Sequence, residues 1–553
     1  MIKSKTINLY TVKFLGLGWL FEVINAAFKI SNKKDNNFVK IILLDEFEES
    51  TFKNIIKFYL YKNKEKISFL NLKKINKKFK FNPKSIDSRL LLNKKINFKY
   101  KNFNFEIESV KVNFILNNLL KIFSLFICTF YFFKILIFSN KKDFLKFKFQ
   151  NIQIGDLVAS TYLRMSPSRG GKFGYSFALF KIFFYSFYYS LKSNFIINKY
   201  ENHSKKSYTI IPEPIYLQCL WVRKFLSLGI PNIDINHYKK KFYIKKKINK
   251  INTWIADKKK IKKINNKDKL LIKNYFKTRF KNPGKIMSYL TAECSNDNSK
   301  NIIYNFQNKK IYVHKNQLIA VVFLHSFDDA QYCFGLDDFE DIYDWTIFSI
   351  DKCLKNNYFD KVFIKPHPGT DLINYPGDGV ALKKIQEKYK KNPRVEILKK
   401  NTSVVYLSKS TNILGITHHG SIAEELTFLN KNVIASVNGP WSSHYKFLAT
   451  WKNKNEYGIY LNKFNKMSLR KPSPIELNEF YNYILERKMN LVESKDHSIR
   501  LFLSKTKQKY NKWQNPKIEL RGFNNYVKDL KNFENNDIFI NDLIKPIYNR
   551  IYK

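Results

Sequence analysis

The stretch from residue 318 to residue 437 constrains the fold more than any other. Five short apolar runs, at 318–324, 361–365, 395–398, 412–417 and 433–437, alternate with helically spaced segments at 339–354, 380–391, 403–408 and 421–429. Runs this short and this apolar read as strands buried on both faces. Helices between them supply the crossovers that parallel strands require. The pattern therefore calls for a parallel sheet covered by helices, and it excludes a sandwich or a bundle for this half of the chain.

The N-terminal end repeats the theme. Residues 5–14 alternate, Gly16-Leu17-Gly18 follows, a helical run covers 19–30, and a second apolar strand covers 39–44 and ends at Asp45. This is the opening of another α/β domain. Residues 111–150 look helical. A strand is expected at 207–211, and a helix at 215–228 ended by Gly229 and Pro231. The lysine-dominated 238–285 reads as a solvated helix or connector. From residue 473 onward the chain reads as helix with a turn near Pro516. These readings divide the chain into an α/β domain with helical insertions over 1–310, a second α/β domain over 311–475, and a helical tail over 476–553.

Charge is the loudest compositional feature and the easiest to over-read. The net charge is +54, yet only 11 of the 99 basic residues are arginine. Lysine is spread along the whole chain, together with abundant Asn and Ile, as codon drift in an AT-rich genome would leave it. Base-reading proteins lean on the arginine fork and gather it in one stripe, so nucleic acid is not the expected partner. Anionic lipid headgroups and polyanionic substrates fit the charge. The five cysteines are scattered, odd in number and lack a CxxC pair, which suits a reducing compartment.

The N-terminus lacks a signal-peptide layout. The strongest apolar run, 122–133 between Lys121 and Lys134, has twelve residues, against the ~20 that span a bilayer. It and the aromatic stretch 173–189 read as buried helices, or as interfacial helices on an anionic leaflet. The expectation is a cytoplasmic protein, with peripheral contact with the inner face of the cytoplasmic membrane.

Glycine and proline mark where the chemistry concentrates. Six of the 17 glycines and five of the 15 prolines fall between Lys365 and Pro440, just after the expected strands. In an open parallel sheet, ligands bind outside the carboxyl ends of the strands. The polar residues there are His325-Ser326-Phe327-Asp328-Asp329, then Pro366-His367-Pro368-Gly369-Thr370, then His418-His419-Gly420-Ser421, then Asn438 through Ser442-Ser443-His444. Five of the nine histidines sit at these edges. Gly420-Ser421 opens a helix whose first amides can hold a phosphate, and Ser421 can either cap that helix or donate to phosphate. Glu425 can accept from ribose hydroxyls, or serve as a capping or surface carboxylate. His367, held between two prolines, is placed to donate to a phosphate leaving group, or is a structural turn residue. Of His418 and His419, one is expected to face the ligand. His325 belongs to the site or caps the helix after the first strand. The histidine spacing matches no common metal-ligand pattern, so no metal is expected.

The order strand–KPHPGT–helix–strand–THHGSIAEEL–strand resembles the nucleotide-binding domain of GT-B glycosyltransferases, and more narrowly bacterial capsule and surface-polysaccharide proteins of the Kdo- and sialyltransferase-like groups. VVFLHSFDDAQYCFGLDDFEDIYDW, from Val321, is similar to the opening strand and loop of that domain, and IGDLVASTYLR, from Ile154, is similar to a stretch of the same group. The resemblance implies an α/β, GT-B-like fold: two Rossmann-like domains facing across a cleft, with a helical C-terminal tail. It implies a nucleotide-sugar donor, with weak preference for a CMP-sugar, and a polysaccharide or lipid-linked acceptor, without metal or other cofactor. His367-Pro368 matches the family's His-Pro motif. Gly420-Ser421, or else Ser442-Ser443, matches its Ser/Thr motif. With them, His325, Thr370, His419 and Glu425 are the expected donor-binding residues. Asp156 is the expected general base, with Asp45 in reserve. A teichoic-acid-type polyol-phosphate transferase and a non-catalytic glycan- or lipid-binding relative are the alternatives.

Overall fold

The computed structural model describes residues 5–12, 23, 26, 37–44, 96–100, 103–110, 112–138, 141–166, 169–200, 206–211, 216–236, 241–246, 261–281, 302–329, 331–370, 376–410, 412–441 and 444–487. Gly16-Leu17-Gly18, Asp45, Ser442, Ser443 and the tail past residue 487 lie outside them. Of the helix expected over 19–30, Val23 and Ala26 are described, and both are helical and buried.

The first domain runs β1 (Lys5–Val12), β2 (Asn37–Leu44), β3 (Ile96–Tyr100), β4 (Phe103–Ser109), α1 (Phe114–Phe138), α2 (Lys141–Leu145), β5 (Lys148–Phe149), β6 (Ile152–Gln153), α3 (Gly155–Met165), α4 (Phe177–Tyr200), β7 (Lys206–Thr209), α5 (Cys219–Ser227), β8 (Asn232–Asn236) and β9 (Lys241–Lys245). Its sheet has the order β3-β4-β2-β1-β7-β8-β9. β4, β2, β1, β7 and β8 are parallel, with Leu9 of β1 opposite Ile41 on one side and Tyr208 on the other. β3 and β9 close the two edges antiparallel. Numbered along the chain, the parallel strands stand in the order 3-2-1-4-5.

The second domain runs α6 (Asn266–Lys281), β10 (Ile302–Tyr304), β11 (Lys310–Tyr312), β12 (Leu318–Phe323), α7 (Ile342–Lys355), β13 (Lys361–Lys365), α8 (Pro376–Tyr389), β14 (Val395–Ile397), α9 (Val404–Ser410), β15 (Asn412–Ile416), α10 (Ile422–Phe428), β16 (Asn432–Ser436), β17 (Ala449–Trp451), α11 (Lys454–Lys463) and α12 (Pro474–Arg487). Its sheet, β14-β13-β12-β15-β16-β17, is parallel throughout. Along the chain the order is 3-2-1-4-5-6, the doubly wound arrangement of a dinucleotide fold. All six residues of β12 are buried, as a central strand covered on both faces must be. In β15, a side chain at Gly415 would meet the Leu426 methyl at 2.1 Å, so the glycine lets α10 pack directly on the sheet. Strand order alone thus makes both domains Rossmann-like.

Two expected boundaries move. Ile272, Tyr275 and Phe276 of α6, with Ile303 and Ile311 of the β10–β11 hairpin, are buried in one core with Ile319, Phe363 and Ile413 of the second sheet. The lysine-rich 238–285 is therefore not simply a solvated connector, and the second domain begins near residue 261 rather than 311. The start of the expected tail also joins that core. Phe480, Tyr483 and Ile484 of α12 are buried there, and the Tyr483 hydroxyl donates to Glu424 at 2.7 Å.

The apolar run at 122–133 also proves longer and less buried than expected. α1 is 25 residues long, and its 114–137 portion is apolar enough to cross a membrane by length and composition. Much of it is exposed. Lys121 and Lys134, which bound the run in sequence, project from a helix whose apolar surface continues past both.

Candidate functional site

The second sheet reverses its winding between β12 and β15. Chains leaving those two strands turn to opposite faces, so a crevice opens outside their carboxyl ends. His325 follows β12, and Thr417 to Ser421 follow β15. They meet in the crevice. The Gly420 amide donates to Thr417 Oγ1 at 3.2 Å, and that oxygen lies 3.1 Å from His325 Nε2. The same Nε2 accepts the His419 amide at 3.2 Å. Because Nε2 accepts, the proton of the neutral His325 ring sits on Nδ1. The His325 and His419 rings stack with centroids 4.0 Å apart. A side chain on Gly420 would meet Thr417 Oγ1 at 2.7 Å and His325 Cε1 at 3.1 Å, so this close approach needs glycine.

His418 points inward from the cluster. It is fully buried, with Nδ1 3.0 Å from His419 Nδ1 and Nε2 3.5 Å from Asp337 Oδ2. Burial pushes His325, His418 and His419 well below the ordinary imidazole value, and their mutual field adds to it. All three are neutral at pH 7.

His367 enters from β13. Its Nδ1 accepts the Gly369 amide at 3.1 Å, inside a turn closed by the Thr370 amide donating to the His367 carbonyl at 2.9 Å. With Nδ1 an acceptor, the neutral ring carries its proton on Nε2. Burial lowers this imidazole to about 4 against the raising field of Asp329, and Lys365 lowers it further. The His367 side chain keeps 22% exposure. It lies near enough to His325 for the two to act on each other electrostatically. Thr370 is buried, its carbonyl bound by the Lys400 ammonium at 2.7 Å, and Pro368 is half-buried. Both shape the turn.

Beside His367 lies a carboxyl pair. Asp378 accepts from Ser326 Oγ at 3.0 Å and from the Phe327 amide at 2.6 Å, and its Oδ2 is 3.8 Å from His367 Nδ1. Asp328 accepts the Gly377 amide. Burial raises Asp328 to about 7 and raises Asp378 well above the carboxylate range, where the charge of Asp328 adds to the effect. The first domain closes on this edge. Tyr216 donates its hydroxyl to Asp329 at 2.7 Å, the Phe173 amide donates to Asp341 at 3.3 Å, and the Arg164 charge acts on Asp328.

Three expectations are corrected. Asp156, the expected base, holds Arg223 with both oxygens, at 2.7 and 2.6 Å, which fastens α3 to α5. Glu425 accepts from Nε and Nη2 of Arg279 at 2.9 and 2.7 Å, and Ser421 Oγ contacts the same Nη2 at 3.2 Å. That guanidinium, reaching over from α6, occupies the groups expected to meet ribose and phosphate. Ser421 makes no side-chain cap either. Lastly, the Gly420 amide, at the start of the helix expected to hold phosphate, is spent on Thr417, and the preceding His419 amide on His325. Arg164, Tyr216, Arg279, Lys365 and Asp378 were not singled out from sequence. Among the described residues, no cluster of three or more His, Cys, Asp or Glu side chains has metal-holding geometry.

No family model matches the sequence, and no curated protein matches it. Two solved structures align with the chain. An α,α-trehalose-phosphate synthase (UDP-forming) from Burkholderia vietnamiensis does so with a TM-score of 0.31 and 7% identity, covering 91% of this chain and 99% of that one. An α,α-trehalose 6-phosphate synthase from Burkholderia multivorans gives 0.26 and 7%, covering 88% and 93%.

Proposed function

We propose that the protein is a GT-B-type glycosyltransferase that binds a nucleotide-activated sugar in the crevice between β12 and β15. The observation that carries this reading is the fixed tautomer of His367. With Nδ1 held by the Gly369 amide, the ring is an N–H donor at Nε2, beside the switch point of a 3-2-1-4-5-6 sheet. A neutral donor in a buried site suits a leaving phosphate, whose charge grows as the glycosidic bond breaks. The stacked His325–His419 pair braces the adjoining wall.

In this reading the acceptor hydroxyl is deprotonated by Asp329. This carboxylate follows β12, faces the first domain through Tyr216 and acts electrostatically on His367. It replaces Asp156 in that role. The nucleotide-sugar is substrate, and the reading calls for no resident cofactor. Within the class, a CMP-activated acidic sugar and a surface polysaccharide or lipid-linked acceptor remain the preferred substrates, because a charge of +54 favours polyanions. Nucleotide sugars are cytoplasmic metabolites, and the reading assigns the protein to that side of the membrane.

The test is thermal-shift stabilisation by CMP, CDP, UDP, GDP and ADP. A nucleotide at a hundred times its dissociation constant adds about 2.7 kcal/mol. His367→Ala should remove that shift, whereas His367→Gln, which can place an N–H donor near the same point, should keep part of it. Asp329→Asn should keep the shift and lose sugar transfer, read by mass spectrometry. If no nucleotide stabilises the wild type, the transferase reading fails.

A further inference from the structure

The face of α1 turned away from the protein carries the largest apolar exposure among the described residues. Ile115, Ile122, Phe126, Phe130, Phe133 and Ile137 fall on one side of the helix at helical spacing, and Phe126 and Phe130 are 71% and 66% exposed. From Ile115 to Ile137 the stripe runs about 33 Å at ~1.5 Å per residue. Phe177, at the start of α4, is also 80% exposed. An apolar surface this continuous marks an interaction site.

The opposite face shows how the helix lies. Cys128, Phe132 and Ile135 are buried. The Tyr188 hydroxyl donates to Asn117 at 2.5 Å near one end, and the Phe132 and Phe180 rings meet at 5.2 Å toward the other. α4 therefore holds α1 along its length. α4 in turn packs against α3 and α5 inside the domain. α1 thus lies along the domain's surface and presents its side, not its end.

Charge selects the occupant. Residues 110–155 contain seven lysines and one acidic residue, Asp143. Lys121 and Lys134 are exposed on α1. Lys146 and Lys148 are exposed beside Phe147 and Phe149, whose rings pack on Tyr131 of the same helix. A second copy of a chain with net charge +54 would bring like charge to this rim, whereas an anionic surface neutralises it. We infer that the exposed face of α1 docks on an anionic lipid bilayer, with the helix parallel to the membrane plane, its phenylalanines at the acyl boundary and the rim lysines on the headgroups. This surface stands on its own observations and does not depend on the transferase reading.

The test is flotation of the full chain with vesicles of phosphatidylcholine alone or mixed equally with phosphatidylglycerol. The expected result is binding to the mixed vesicles at least roughly tenfold stronger than to the neutral ones, weakened by added salt. The triple variant Phe126→Ser, Phe130→Ser, Phe133→Ser should lose that binding roughly tenfold or more while keeping the wild-type far-UV spectrum. As a readout that leaves the apolar face intact, Phe126→Trp should shift the indole emission to the blue on the mixed vesicles, and brominated acyl chains should quench it. Absence of binding to the mixed vesicles overturns the inference. So does a triple variant that binds as the wild type does, a Phe126→Trp variant whose added emission escapes quenching, or a vesicle-free dimer that the triple variant dissociates.

Discussion

His325 Nε2 accepts the backbone N–H of His419 at 3.2 Å while the two rings stack 4.0 Å apart, which ties the loop after β12 to the loop after β15. The tie also runs through Thr417, whose oxygen takes the Gly420 amide and contacts the same Nε2. His325→Ala leaves the buried His419 amide and the Thr417 hydroxyl without this acceptor, at about 1–3 kcal/mol for each group. His325→Gln can return an acceptor near the Nε2 position, and urea melts should show it recovering a good part of that loss. Thr417→Val cuts the same relay, so its cost and that of His325→Ala should be non-additive by about 0.5–3 kcal/mol in a double-mutant cycle.

The second sheet was legible in sequence because its strands are buried on both faces and read as uninterrupted apolar runs, as in 318–324. Amide accounting was not legible. The string His418-His419-Gly420-Ser421 shows a helix start, but not that Thr417 and His325 consume its amides. Long-range partners were equally hidden: Arg279 lies 146 residues from Glu425, inside a lysine-rich stretch that reads as solvated. One signal was available. Arginine is scarce in this drifted composition, and four of the described arginines use more than one guanidinium nitrogen on their partners, which lysine cannot do. Arg223 grips Asp156, Arg279 grips Glu425, Arg394 donates to the carbonyls of Leu354, Asn356 and Phe359, and Arg470 binds Glu476 with two nitrogens. Arg164 acts on Asp328, Arg169 lies over the Tyr162 ring and Arg487 over that of Tyr483.

The Arg279–Glu425 pair is largely buried, with side-chain exposures of 9% and 13%. Arg279→Met strands a carboxylate, and breaking such a pair costs about 3–5 kcal/mol. Lys365, whose charge also reaches Glu425, should keep the loss near the lower figure. Arg279→Met combined with Glu425→Leu should recover most of it, since neither charge is then left alone. Arg279→Lys keeps the charge but loses the fork, and denaturant midpoints should place it between wild type and Arg279→Met.

Phe480 decides whether α12 is tail or core. Its ring is fully buried, 5.2 Å from Phe447 and 5.9 Å from Phe276. Phe480→Ala should therefore cost about 3–5 kcal/mol in urea unfolding of the second domain, the range of a core cavity. A phenylalanine on a dispensable tail would change the midpoint by no more than about 0.5 kcal/mol.

Asp328 makes stability depend on pH in a direction opposite to that of its histidine neighbours. Burial raises its folded value to about 7 from the ordinary 3.8, so the folded state binds the proton more tightly than the unfolded chain does. The resulting stabilisation is complete below the ordinary carboxylate value and is lost as pH rises through 7. The buried imidazoles act the other way. His367, lowered to about 4, contributes fully above 6.5 and loses that contribution as pH falls toward 4. Above pH 6.5 the imidazole contribution is constant and the carboxyl contribution is not. Between about pH 6.5 and 8.5 the wild type should lose the last ~1 kcal/mol of this contribution through Asp328, because the slope of ~1.4 kcal/mol for each pH unit applies only between the unfolded and folded values and fades above 7. Asp328→Asn can accept the Gly377 amide without ionising, so its stability should fall by less than the wild type's over that interval, the remaining slope belonging to Asp378. Parallel slopes for the two proteins in urea melts would show that Asp328 is not held protonated beside Asp378.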